Sequence, residues 1–189
     1  MKKTLIALLL LLMIQLPVQA QAATFADKNL AQLVVEAEQV FIGTVVSAQS
    51  RKLPNGAIVT DFRFSDVQLI KGDTAGTDIV LLALGGEVDG LRLEIPGLPQ
   101  FQRDSRYLVF SSGNGKDIFP VVGGPAGMFQ IAAGASGGNP IVLTSSGMPL
   151  GTAIAAEIAG EVASPALGAV QPPVTLESFL AAIKSRLGR

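Results

Sequence analysis

The sequence predicts a mainly β protein: a small antiparallel barrel or sandwich with a short helix at the front and an amphipathic helix at the end. Three observations lead there. Short β-branched and aromatic runs recur between residues 40 and 144, glycine, proline and Asn-Gly or Asp-Gly signals separate them, and helical periodicity is confined to the two ends. With 189 residues, 49% of them hydrophobic and 15% charged, the chain is long and apolar enough to bury one core, and one domain is expected.

Ahead of that domain, residues 1–22 read as a cleavable secretory signal peptide. Lys2 and Lys3 form a positive start, Leu5 to Leu16 an apolar stretch too short to span a bilayer, and Ala20-Gln-Ala22 a small-residue cleavage site, with cleavage also possible near Ala20 or Ala23. No comparable apolar run follows, so no membrane span is expected after cleavage.

The first helix follows from Leu30, Leu33, Val34 and Ala37, with Asp27 placed to cap it. Val40 to Val46 reads as a strand with a bend or bulge at Gly43. Pro54-Asn-Gly56 is a turn, and Ile58, Thr60, Phe62, Phe64 and Val67 alternate beyond it, which predicts a long hairpin over residues 40–70. Asp78 to Leu84 is apolar enough for a strand covered on both faces. Asp89-Gly90 sits between Glu87-Val88 and the alternating Leu91 to Ile95, a second hairpin signature. Arg106 to Phe110, Ile118 to Val122 and Met128 to Ile131 complete the expected strands.

Residues 23–144 thus form the β domain. Residues 145–173 are rich in Ala, Gly and Pro and read as a linker, with a weak helix over Gly151 to Glu161, and Pro140 to Leu143 is a strand candidate just before it. Residues 174–189 form the final helix, capped by Thr175, with Leu176, Phe179, Leu180, Ile183 and Leu187 on one face that packs on the body.

Composition excludes several chemistries. The chain has no cysteine and no histidine, so disulfides, thiol catalysis, thiolate or imidazole metal sites and the usual Ser-His pair are all absent. Gly134-Ala-Ser-Gly-Gly138 matches the G-x-S-x-G pattern, but no strand precedes it and no helix follows. Lys71, Lys116 and Lys184 read as surface residues and not as buried bases. The acidic residues follow no calcium-loop spacing, and since a carboxylate pair is set by distance in space and not by spacing along the chain, Glu87 with Glu94 is the least implausible pair for carboxylate chemistry. No phosphate loop or dinucleotide fingerprint occurs, and no cofactor is expected.

Removing Lys2 and Lys3 from the fourteen basic residues leaves twelve against fifteen acidic, a net charge of −3, with the basic residues scattered. That balance argues against nucleic acid or anionic lipid as partner. An exported domain without disulfides suits a bacterial periplasm or the medium beyond it.

Val40-Phe-Ile-Gly-Thr-Val-Val46, Phe62 to Val67 with Lys71-Gly72, Gly85-Gly86, Gly97-Leu-Pro-Gln-Phe101, Arg106-Tyr-Leu-Val-Phe110 and Val121-Val-Gly-Gly through Met128-Phe129 together resemble a group of uncharacterised exported bacterial proteins. The resemblance covers residues 28–131. Its layout, a helix followed by a small Greek-key barrel, is similar to the oligomer-binding (OB) barrel of netrin-like modules and tissue inhibitors of metalloproteases. Asp104-Ser105 stands where that group has Gly-Glu, and the zinc-chelating N-terminal cysteine of the inhibitors is missing. The resemblance therefore implies a binding barrel without zinc-directed inhibition. The expected function is a non-enzymatic interaction domain for another envelope or secreted protein, with a carboxylate or metal-dependent hydrolase, or a structural envelope subunit, as alternatives. The candidate binding surface is the hairpin and loop bearing Glu87, Asp89, Arg92, Phe101 and Arg103.

Overall fold

The computed structural model of the chain describes residues 28–74, 76–98, 100–134, 137–150, 155 and 172–188. The leader, Asp27, Ser136 and all of Gly151 to Glu161 except Ala155 lie outside the described residues.

Helix α1 (Leu30–Glu36) starts one residue after Asn29, whose Oδ1 accepts from Gln32 N at 2.8 Å while Gln32 Oε1 accepts from Asn29 N at 3.0 Å. This reciprocal capping box takes the place of the expected Asp27 cap, because Asn29 is the residue directly before the helix and its side chain reaches the unpaired amide of Gln32 in the first turn. At the other end, Lys71 Nζ donates to Val34 O at 2.7 Å and Ala37 O at 2.6 Å. Lys71 is thus a part-buried clasp on the last carbonyls of α1, and not the free surface lysine that its turn position suggested.

Strands β1 (Gln39–Lys52) and β2 (Ile58–Lys71) form the expected long hairpin, closed by Leu53 N to Ala57 O at 2.8 Å. Register shifts near Gly43 confirm a bulge there, where an added Cβ would stand 3.1 Å from Phe64 Cβ. β3 (Ile79–Leu84) pairs with β2, and β4 (Gly86–Val88) pairs with β5 (Leu91–Leu93) across Asp89 and Gly90, both at positive φ. Then come β6 (Arg106–Ser111), β7 (Met128–Ala132) and β8 (Ile141–Thr144), and the final helix α2 (Leu176–Leu187).

The six-stranded antiparallel sheet runs β3-β2-β1-β6-β7-β8, so β6 returns beside β1 after the β1-β2-β3 meander. That is Greek-key order, with the separate β4–β5 hairpin in the long return. The sheet does not close on itself. Ile118 to Val122, expected as a strand, makes one bridge among the described residues, Ser111 to Val121, because Pro120 lacks a ladder donor. Its isolated bonds still reach both ways, from Leu84 N to Ile118 O at 2.7 Å and from Val122 N to Phe110 O at 2.9 Å. The segment therefore lies across the gap between β3 and β6.

Two apolar clusters sit on opposite sides of the sheet. On one, Val40, Ile42, Leu108, Phe110 and Phe129 pack against Leu30, Leu33 and Val34 of α1 and Phe179 and Ile183 of α2. On the other, Phe41, Phe62, Phe64, Leu81, Tyr107 and Met128 surround Phe101 and Phe119. Double burial therefore belongs to β1 and β6, the central strands. β3 alternates instead, with Val80 exposed and Leu81 buried, which corrects the expectation of a strand covered on both faces. α2 is capped by Thr175 as expected, its Oγ1 accepting from Ser178 N at 3.2 Å.

Candidate functional site

In the far half of the β1–β2 hairpin the buried side chains come from β2, at Ile58, Val59, Thr60 and Phe62. Beyond Val45, β1 turns polar, and over this stretch the β4–β5 hairpin lies against the sheet face. Gly86 makes that approach possible: at φ 132°, an added Cβ would collide with Ser50 Oγ and Thr60 Oγ1. The two hydroxyls face each other at 2.9 Å, Thr60 Oγ1 donates to Gly85 O at 2.7 Å, and Glu87 N donates to Ser50 Oγ at 3.3 Å. Both hydroxyls are thus matched to each other and to the hairpin backbone, which holds the hairpin in one place.

Between hairpin and sheet runs a groove of about 290 Å³, lined by Ala48, Ser50, Thr60 and Phe62 of the sheet and by Gly86, Glu87, Arg92, Leu93, Glu94, Gln100 and Phe101 of the hairpin and the loop after it. Arg92 stands opposite Glu87 in the two-stranded ladder and forms an ion pair with Glu94, its Nη2 3.2 Å from Glu94 Oε2. The rim thus carries two carboxylates and one guanidinium. On the opposite face of the same hairpin, Arg51 Nε donates to Asp61 Oδ2 at 2.7 Å, and that bond followed by the carboxylate's charge raises the pKa of Arg51 further, so it is cationic at any working pH.

Of the five candidate surface residues, Glu87 and Arg92 line the groove with exposed side chains. Asp89 is exposed at the hairpin turn and Arg103 is exposed beyond Phe101; neither lines the groove. Phe101 touches the groove but is only 5% exposed. Its ring sits edge-on to Phe62, Phe64 and Tyr107 at 5.0 to 5.3 Å and stacks on Phe119 at 5.9 Å. It is the hub of the second core, and a partner cannot take it as a free anchor.

Sequence reasoning missed Ser50, Thr60, Leu93 and Gln100. A signal existed for the first two: counting back equally from the three-residue turn Pro54-Asn55-Gly56 sets Ser50 opposite Thr60. Glu87 and Glu94, paired on paper as possible acids, do line one groove, with Arg92 bound to Glu94 beside them. Among the described residues no three acidic side chains gather as a metal site, and no helix is long and apolar enough to cross a membrane.

Comparison with family models, with curated proteins and with solved structures finds no match to this chain.

Proposed function

We propose that the mature chain is an exported, non-enzymatic binding domain of the bacterial envelope, which engages another protein or envelope component through the β4–β5 hairpin and the groove beneath it. The leader supports export, and the absence of His and Cys supports binding over catalysis. The observation that carries the reading is the groove itself. Its volume of about 290 Å³ is at the small end for a drug-sized ligand and suits one or two side chains of a larger partner. Leu91, 56% exposed on the same hairpin, adds an apolar contact next to the charged rim.

The test is mild crosslinking of the mature chain in its native envelope, followed by mass spectrometry of what co-purifies. Capture should be lost in the Leu91→Ser, Arg92→Glu double variant. These positions are exposed, so the fold survives, whereas a deletion reaching Phe101 would remove the core hub. Undiminished capture by the double variant would overturn the assignment of this surface.

Carboxylate hydrolysis is the second reading, favoured by Glu87 and Glu94 lining one groove. Glycoside and peptide substrates turned over by the wild-type chain, with activity abolished in Glu87→Gln and Glu94→Gln, would establish it.

A further inference from the structure

Antiparallel strands turn the N–H and C=O of alternate residues toward each neighbour. Leu53 bonds to Ala57 at the hairpin end, so Arg51, Gln49 and Ser47 bond to β2 through their partners Val59, Asp61 and Arg63. Lys52, Ser50 and Ala48 therefore point their backbone groups the other way, toward the side that β6 occupies farther along. β6 does not reach them. Its ladder with β1 ends at Thr44 and Arg106, and the last bonds on that side are Val45 N to Ser105 O at 3.0 Å and Asp104 N to Val45 O at 2.8 Å. Among the described residues the backbone groups of Ala48, Ser50 and Lys52 have no partner.

Elsewhere the fold covers such edges. On β3, Leu82 N donates to Asn114 Oδ1 at 2.9 Å and Asn114 Nδ2 donates to Val80 O at 2.7 Å, a side chain standing in for a strand. On β8, Val142 N donates to Val174 O at 2.9 Å and Leu176 N to Pro140 O at 2.8 Å. The β1 edge is left regular instead, without a register shift beyond Ser47, and it opens beside the groove that Ala48 and Ser50 line. The lining side chains sum to a formal charge of −1 (Glu87, Arg92, Glu94), and Glu87 forms no ion pair among the described residues.

We infer that this edge takes an extended peptide segment of the partner as an added antiparallel strand in line with β6, with a lysine or arginine side chain entering the groove toward Glu87. The backbone of Ala48, Ser50 and Lys52 supplies affinity, and the acidic groove selects the side chain. This rests on the binding reading above and names the chemistry of its ligand.

The probe is a blocked seven-residue peptide alternating valine or threonine with two lysines, fluorescently labelled, compared with the same peptide carrying glutamates. Anisotropy should show the lysine peptide bound by the full mature chain and preferred over the glutamate one. Ala48→Pro deletes an edge donor without touching a β2 bond, and should weaken binding roughly tenfold through the lost hydrogen bond and the blocked register. Glu87→Lys should reverse the peptide preference, and bound peptide should slow exchange of the Ala48, Ser50 and Lys52 amides. Equal binding of the two peptides, no binding of either, or wild-type affinity in Ala48→Pro would overturn strand addition. The binding reading is decided separately, by whether envelope capture depends on Leu91 and Arg92.

Discussion

Phe101 reaches the second core from a loop, between Pro96-Gly97 and the positive-φ residue Asp104, and four other aromatic rings meet it there. The loop is held by its neighbour as well: Gln102 N donates to Tyr107 Oη at 3.0 Å. Truncating Phe101 leaves a cavity that β-strand side chains on three sides cannot collapse into. Phe101→Ala should therefore lower unfolding stability in urea by about 3–5 kcal/mol, with Phe101→Leu costing less than half as much. Lys71 teaches the same lesson in reverse. Its ammonium is spent on the carbonyls of α1, so a residue that looks like a solvated turn lysine is a structural tie between helix and sheet.

At the level of elements, edge management explains much of what the chain does between its strands. Ile118 to Val122 fails as a strand through Pro120, yet it and Asn114 together cover the outer side of β3. An asparagine can do this because its amide carries a donor and an acceptor at strand spacing. Asn114→Ala should leave the far-UV circular dichroism unchanged and raise light scattering on mild heating, since Leu82 N and Val80 O then become a template for intermolecular pairing. The β4–β5 hairpin is the other element whose role is positional. Asp89 and Gly90 give the two-residue turn its left-handed pair, and Gly86 allows the ribbon to lie directly on Ser50 and Thr60.

For the whole molecule, the two clusters make the sheet a shared wall, with helices on one side and the aromatic loop on the other. Ending the chain before Val174 would strip Phe179, Ala182 and Ile183 from the first cluster and uncover β8. Such a chain should bind a hydrophobic dye strongly and lose its cooperative thermal transition, because a contiguous apolar face meets water. Much of this plan was legible beforehand. Period-2 alternation and the Asn-Gly and Asp-Gly turns located both hairpins, and helical spacing with a Thr cap located α2, since these are local consequences of backbone geometry. The antiparallel, mainly β character follows from them. What the sequence could not contain was neighbourhood. Which strand is central decided that Val40 to Ile42 and Tyr107 to Phe110 are buried on both faces while Val80 of the apolar β3 is exposed. Which loop fills the sheet's second face decided that Phe101 is core while Glu87 and Arg92 rim a groove. Pairing order and layer contacts arise between residues tens of positions apart, and hydrophobic pattern carries only each residue's preference for burial, not the partner that buries it.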